Sequence, residues 1–339
     1  MKVCVIIPVY NAEKYIEQCF NSIAAQTYKN VSAVFVDDCS TDNSKEILRK
    51  LIRERELSGK SAYKLIEHET NKNVSAARNS AIEYALGAEI NADFLMFMDS
   101  DDMLTPDGVE KLMDLAQRNP AAQIVEGAII PVFENCWDEL FPPVITQQNW
   151  GKIYEVIKEL LSDKQDFEKT EGQVQVFDKI DSVKWWFANS ISPKGFIVPC
   201  GVWATLYKCD FIKEYELRFS QDLPVTQDVF FRYSCFKNVT KAIVAQAMVY
   251  IYRTRKEGSL SSQSDQSKRI DCSARVLEKM LPDIDDKEYF LELAKWGIEW
   301  AKGWLGRIKT EKEKELAPKY LNLLNEINEK IKQKSKKFG

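Results

Sequence analysis

The sequence predicts an α/β protein: a mixed, mainly parallel sheet with helices on both faces, followed by a helical C-terminal appendage. Three observations predict it. Apolar runs alternate with helical patterns through the first third of the chain. Two of those runs end directly in acidic clusters, Asp37-Asp38-Cys39-Ser40-Thr41-Asp42 and Asp99-Ser100-Asp101-Asp102. From about Ser267 the chain reads as helix. Continuous apolar runs are the mark of strands buried on both faces of a parallel sheet. Both clusters therefore fall at the carboxyl ends of neighbouring strands, the edge where open α/β sheets bind ligands. Clustered carboxylates repel one another unless cations or hydrogen-bond donors lie between them. A divalent metal and a nucleotide would supply both.

The elements follow in order. Val3–Val9 is a strand that ends in Tyr10-Asn11. Ala12–Thr27 carries apolar residues at Ile16, Cys19, Phe20 and Ile23, a helical spacing. Val31–Val36 is the second strand, after which Ser40 or Thr41 caps a helix through Asp42–Leu57. Tyr63–Ile66 is a third strand, Val74–Leu86 a helix closed by Gly87, and Phe94–Met98 the fourth strand. Thr105-Pro106-Asp107 opens the next helix and Asn119-Pro120 closes it. Beyond it, Gln123–Phe133, Phe196–Tyr207 and Ala242–Tyr252 are strand-like, and His68 is a turn residue. Lys256–Ser267 combines Gly258 with five serines and reads as a mobile loop.

Composition narrows the function. The 339 residues are 45% hydrophobic and 29% charged, the profile of a globular protein, and a net charge of −4 gives no reason to expect nucleic acid. No apolar stretch approaches the roughly 20 residues that cross a bilayer. The start of the chain lacks a signal-peptide pattern. The eight cysteines show no C-x-x-C pair and read as reduced thiols of a cytoplasmic protein. With one histidine and scattered cysteines, a structural zinc site is not expected.

Five short motifs stand in order: Ile7-Pro8-Val9-Tyr10-Asn11, Gln26-Thr27-Tyr28, Asp37 to Asp42, Asn73-Val74-Ser75-Ala76-Ala77-Arg78-Asn79, and Asp99-Ser100-Asp101-Asp102. Together they resemble the opening of family 2 glycosyltransferases with the GT-A fold, in the type that builds bacterial polysaccharides. The likeness is close over about the first 110 residues and looser over Trp203–Ser261. It implies a GT-A domain over residues 1–266, with a nucleotide-binding half (1–110) and an acceptor half (111–266), and a helical appendage over 267–339. It also implies an inverting hexosyl- or N-acetylhexosaminyl-transferase. Such an enzyme moves a sugar from a UDP-sugar to a saccharide hydroxyl, on a lipid-linked acceptor at the inner face of the membrane.

Uracil presents an N–H at N3, so its pocket needs an acceptor. By the resemblance Asp38 supplies it, Pro8, Val9 and Tyr10 form the wall beside the base, Asn11 joins them among the nucleotide-sugar-binding residues, and Arg78 closes the site. Asp99-Ser100-Asp101 matches the family's D-x-D motif. Alternate residues of an extended segment point the same way, and hard divalent cations take oxygen ligands. The resemblance makes Asp99 a ribose contact near the metal and Asp101 the ligand of Mn²⁺ or Mg²⁺. Asp102 is a cap or a supporting group behind them.

Inverting transfer needs one base to take the acceptor proton. Asp228 matches the family's position, although Gln227 stands where the family usually has Glu, and Asp222 in the same stretch is the rival. Arg253 and Arg255 can face one side of a strand end and hold the diphosphate or an anionic acceptor. Lys256–Ser267 is expected to close over the donor as a lid. Trp185-Trp186 is core or an acceptor platform. The Trp296, Trp300 and Trp304 stripe is core, a helix interface, or a peripheral membrane contact beside the five lysines of the tail. Two other readings compete. A nucleotidyltransferase would want a Gly-rich basic loop after the first strand, where this chain has Pro8-Val9-Tyr10-Asn11. A sugar-nucleotide-binding protein without catalysis is motivated by Gln227 alone.

Overall fold

The computed structural model describes residues 1–58, 62–161, 172–178, 201–255 and 266–280, with isolated positions between 311 and 333. The elements are β1 (Val3–Val9), α1 (Ile16–Ala24), β2 (Val31–Asp37), α2 (Ser44–Leu57), β3 (Tyr63–Glu67), α3 (Asn73–Leu86), β4 (Phe94–Phe97), β5 (Met103–Leu104) and α4 (Gly108–Arg118). They continue with β6 (Ile124–Phe133), α5 (Trp137–Leu140), α6 (Gln147–Leu161), β7 (Val174–Asp178), β8 (Thr205–Lys208), α7 (Cys209–Glu214), α8 (Gln227–Asn238), β9 (Lys241–Thr254) and α9 (Gln266–Met280).

Among the described residues the strands form one sheet in the order β3-β2-β1-β4-β8-β6-β9-β5, with β7 paired to β9. β3, β2, β1 and β4 run parallel; β8 enters antiparallel to β4. The two-residue period of a strand divides the core. Val3, Val5 and Ile7 of β1 pack with Phe20, Leu48 and Leu112, hence against α1, α2 and α4. Cys4 and Ile6 face the opposite side, with Ala77 and Ile82 of α3 and Phe231 and Phe236 of α8. Helices thus cover both faces, as the β-α-β order predicts. Truncating a core aromatic such as Phe35 to alanine is expected to cost about 3–5 kcal/mol. Every described cysteine is free.

α9 belongs to this core. Ile270, Ala274, Val276, Leu277 and Met280 join the cluster of α3 and α8. The first helix of the expected appendage therefore packs directly on the sheet domain. A third cluster lies beyond the sheet centre, where Trp137, Phe141, Ile145 and Trp150 pack on Ile130, Met248 and Ile251.

Several helix ends differ from the sequence reading, for tertiary reasons. α1 begins at Ile16, not Ala12, because Asn11 turns left-handed at φ 50 and leaves the following residues in turns. Ser40 and Thr41 do not cap α2; they bond Asn11, and Asp42 Oδ1 accepts from Ser44 N (3.0 Å) at the helix start. Thr105 does not cap α4 but donates its hydroxyl to Met248 O of β9 (3.2 Å). Gly108 meets β9 closely, since a Cβ there would lie 2.6 Å from Val249 O. Gly87 ends α3 in an extended conformation (φ −69), not the left-handed one. Of the segment 196–207, only Thr205–Tyr207 is strand; 196–200 lies outside the described residues. So do the loop 256–265, Trp185-Trp186, and the Trp296, Trp300 and Trp304 stripe.

Candidate active site

The two acidic clusters converge at the carboxyl edge of the parallel strands. β1 and β2 are in register from Val3↔Val31 to Val9↔Asp37, and Asp38 N donates to Val9 O (2.8 Å). Tyr10 and Asp38 therefore leave the sheet side by side. Pro8 is tolerated here because pairing of β1 with β4 has ended at Ile6↔Phe97, so its missing N–H removes no ladder bond on that side. Tyr10 is 52% exposed, a free aromatic face at the rim. Asn11 Oδ1 accepts from Thr41 N (2.8 Å) and stitches the β1 and β2 loops together. Asp38 is buried, and His68 Nδ1 lies 2.7 Å from its Oδ1. His68 is thus not the plain turn residue that its sequence position suggested.

One strand further on, β4 delivers the second cluster. The carboxylate oxygens of Asp99, Asp101 and Asp102 lie within 4.8 Å of one another. Each is held differently. Asp99 Oδ1 accepts from Arg78 Nη2 (2.7 Å) and Oδ2 from Trp203 Nε1 (2.8 Å). Asp101 Oδ2 pairs with Arg255 Nη2 (2.5 Å). Asp102 accepts from the Tyr250 hydroxyl (2.6 Å) and Arg253 N (2.8 Å), so both its oxygens are taken. Asp102, buried with both oxygens taken, is a support; Asp99, also engaged at both oxygens, and Asp101 are the two partly exposed carboxylates of the three. Burial, with Asp99 adjacent, raises the Asp101 carboxyl above its ordinary value, and Arg255 opposes the rise. Burial and the neighbouring Asp101 and Asp99 push Asp102 well up. A compact set of crowded, desolvated carboxylates, partly offset by Arg78 and Arg255, offers the oxygen ligands that a hard divalent cation takes. Ser100 sits half-buried between them.

Arg253 and Arg255 reach this cluster from the end of β9, both on the Asp101 side. Their tasks differ. Arg253 Nε donates to the Asp101 carbonyl (2.9 Å), and its guanidinium lies 3.6 Å from the centroid of the Trp137 ring and 4.7 Å from that of Tyr15. Trp137 in turn donates to Gln18 Oε1 (3.0 Å), which also accepts from Arg253 Nη2 (2.8 Å). Arg253 therefore braces the D-x-D segment more than it offers itself to a ligand. Arg255, half-buried beside Tyr15, keeps its Nε without a partner.

Asp228 stands in the first turn of α8, partly buried. Burial raises its carboxyl above the ordinary value; the positive charge of Arg78 opposes this and the negative charge of Asp99 adds to it. Phe231, one turn further along α8, packs edge-on against Phe97 of β4 (5.4 Å between ring centroids), so the first turn of α8 lies by the end of β4. The preceding Thr226 has φ 62, a left-handed backbone that is strained for a β-branched residue and clusters at functional sites. Gln227 is buried with Oε1 unpartnered. Asp222 is engaged by other groups: it accepts from Ser220 and pairs with Lys279 of α9 (3.1 Å), and the Ser220 hydroxyl foremost lowers its carboxyl.

Sequence reasoning missed Trp203, Tyr250, Gln18, Tyr15, Trp137 and His68. Trp203 and Tyr250 fall within the loosely matching segment Trp203–Ser261, Tyr250 two positions before Tyr252-Arg253. The others come from separate elements and carry no spacing signal.

A parallel nucleotide half, a D-x-D segment after the fourth strand and an antiparallel crossing into the second half define the GT-A class of folds. Solved structures agree. This chain superposes on S. aureus TarS 1-349 in complex with UDP-GlcNAc with TM-score 0.68 at 20% identity, over 96% of this chain and 80% of that one. It superposes on the mannosyltransferase PcManGT from Pyrobaculum calidifontis, in complex with GDP-Man and Mn²⁺, with TM-score 0.52 at 15% identity, over 96% and 84%. At these identities the likeness carries the fold.

Residues 4–166 match Glycosyl transferase family 2, and this part of the chain belongs to that family. Among curated relatives, it is 30% identical over 260 residues to Glycosyltransferase GlyA of Streptococcus pneumoniae, covering 77% of this chain and 31% of that protein. It is 26% identical over 267 residues to the poly(ribitol-phosphate) beta-N-acetylglucosaminyltransferase TarS of Staphylococcus aureus, covering 78% of this chain and 37% of that one. The chain spans about a third of the length of these two relatives. No helix among the described residues is long and apolar enough to cross a membrane.

Proposed function

We propose that the protein transfers a hexosyl or N-acetylhexosaminyl group from a UDP-sugar to a saccharide hydroxyl with inversion at the anomeric carbon, in assembly of a bacterial surface polysaccharide. One observation carries the reading. Asp38 at the end of β2, Asp99 and Asp101 after β4, and Asp228 at the start of α8 converge on one edge of the sheet, with the buried Arg78 beside Asp99.

The division of labour follows from their surroundings. Pro8, Val9, Tyr10 and Asp38 receive the uracil, and Arg78 closes over the nucleotide. Asp101, assisted by Asp99, would hold Mn²⁺ or Mg²⁺, which supplies Lewis-acid stabilisation of the departing diphosphate. Arg255 adds a guanidinium on the diphosphate side. Asp228 accepts the acceptor's hydroxyl proton as that oxygen bonds to the anomeric carbon. The anomeric C–O bond breaks as this forms, and its electron pair leaves with UDP. A single displacement of this kind inverts the anomeric centre. A relative named as a poly(ribitol-phosphate) beta-N-acetylglucosaminyltransferase and a solved neighbour in complex with UDP-GlcNAc support this donor class, and a lipid-linked acceptor at the inner membrane face belongs to the same proposal.

The experiment is UDP release from a panel of UDP-sugars, and GDP-mannose as control, with saccharide acceptors, in Mn²⁺, Mg²⁺ or chelator. Turnover of a UDP-sugar that chelator removes and Asp228→Asn abolishes is the expected result. Tight donor binding with no turnover on any acceptor would favour the binding-protein reading instead. Preference for GDP-mannose would overturn the donor class.

A further inference from the structure

His68 is the one histidine of the chain and has no place in the motifs that identify the family. It ends β3, where its N–H donates to Asp37 O of β2 (2.9 Å). Its side chain is 7% exposed and lies between two polar partners. Nδ1 is 2.7 Å from Asp38 Oδ1, and Nε2 is 3.0 Å from Ser80 Oγ of α3. A carboxylate can only accept, so Nδ1 carries a proton, and Nε2 meets the Ser80 hydroxyl in a bond whose direction depends on the protonation of the ring. The same Asp38 oxygen accepts from Lys72 N (2.9 Å), and Asn71 Nδ2 donates to the Asp38 carbonyl (3.2 Å). Among the described residues no group donates to Oδ2 of Asp38.

The carboxylate is therefore asymmetric. One oxygen is saturated by two donors, and the other is left for a ligand. We infer that His68 is a positioning residue for nucleobase selection: by holding Asp38 Oδ1 it presents Oδ2 as the acceptor for the N3–H of uracil. The inference rests on the UDP reading above. The last torsion of an aspartate is broad and roughly two-fold, so without His68 the carboxylate can turn. A turned carboxylate no longer offers one oxygen to an imide N–H. Cytosine presents a lone pair at N3 instead of a proton and is repelled by the held oxygen. Preference for UDP over CDP should therefore depend on His68, although His68 touches neither nucleotide.

Titration calorimetry of the full chain with UDP and with CDP, in Mn²⁺, tests this on wild type, His68→Ala, His68→Asn and His68→Gln. An asparagine amide nitrogen reaches where Nδ1 stands, and a glutamine amide where Nε2 stands. His68→Ala and His68→Gln are expected to weaken UDP binding about tenfold while moving CDP binding by no more than about twofold. His68→Asn is expected to restore most of the UDP preference. Thermal melting reports folding; should the alanine variant fail to fold, the glutamine variant, which keeps the bulk and a partner for Ser80, carries the test. UDP and CDP affinities falling together, or Asn and Gln behaving alike, would overturn the role of His68. A wild-type protein that prefers another nucleotide to UDP overturns the donor reading and this inference with it. UDP preference unchanged in His68→Gln overturns this inference alone.

Discussion

Arg78 Nη2 donates to Asp99 Oδ1 at 2.7 Å, joining the helix after β3 to the acidic segment after β4. Arg78 is 3% exposed and its guanidinium lies 5.0 Å from the centroid of the Phe219 ring, yet Nε and Nη1 have no partner. Unpaired buried donors cost about 1–3 kcal/mol each. Such an arrangement is one that a ligand completes. Arg78→Lys keeps the charge but loses the planar fork, and UDP affinity is expected to fall about tenfold or more. Calorimetry against UDP checks it; unchanged affinity would mean that the nucleotide does not reach Arg78.

Asp101 lies beyond the strand end and outside the apolar clusters, paired to Arg255. Asp101→Ala is expected to leave the melting temperature within a few degrees of wild type and to abolish the gain in UDP affinity on adding Mn²⁺. A Mn²⁺ response equal to that of wild type would remove Asp101 from the ligand set.

As the proposed base, Asp228 would link catalysis to stability. Its folded-state carboxyl titrates above the ordinary value, chiefly through burial. A base must be deprotonated, so transfer is expected to decline on the acid side at a higher pH than an unperturbed aspartate would give. Asp228→Asn should lower turnover by roughly 10²-fold or more, with UDP binding within a few-fold of wild type, whereas Asp222→Asn should not. A raised carboxyl pKa means that the folded state holds its proton longer than the unfolded chain does. The resulting penalty is absent below the unfolded value, about pH 4, and appears as pH rises through the folded value. Asp228→Asn is therefore expected to melt above wild type at neutral pH, with the difference vanishing in acid. Melting curves at several pH values decide this.

Arg232 of α8 donates to Glu126 of β6 at 2.8 Å, with side chains 1% and 0% exposed. Glu126 Oε1 and Arg232 Nε and Nη1 have no partner, so the pair is imperfectly satisfied. Removing one partner strands a buried charge. Arg232→Met alone should destabilise by about 3–5 kcal/mol, and adding Glu126→Leu should recover most of that loss. Denaturant unfolding of the single and double variants measures it; additive losses would contradict the pairing.

Much of the site was legible because local rules and a recognisable order of motifs coincide there. β1 alternates its two faces as its sequence says, and each acidic cluster follows directly on an apolar run. Arg78, Asp99 and Asp101 meet as the motif order implies, and α8, which carries Asp228, packs on the end of β4. Where sequence reasoning slipped, tertiary bonds had taken over local ones. Ser40 and Thr41 look like caps but bond Asn11 across the strand ends, and Thr105 is drawn to β9. Arg253 looks like a free cation but is enclosed by Tyr15 and Trp137.

The sequence by itself determined the strand–helix alternation, the placing of both aspartate clusters on the ligand-binding edge, and the family. These depend on periodicity and on residues close together along the chain. Only the tertiary structure decided which carboxylates stay available and which are consumed. Asp102 is tied by Tyr250, 148 positions away, Asp99 by Trp203, 104 positions away, and Asp38 by His68, 30 positions away. It also decided that α9 packs on the same core as α3 and α8. Hydrogen bonds and packing act over a few ångströms in space, whatever the separation in sequence, so residues with no motif of their own set the chemistry of those that have one.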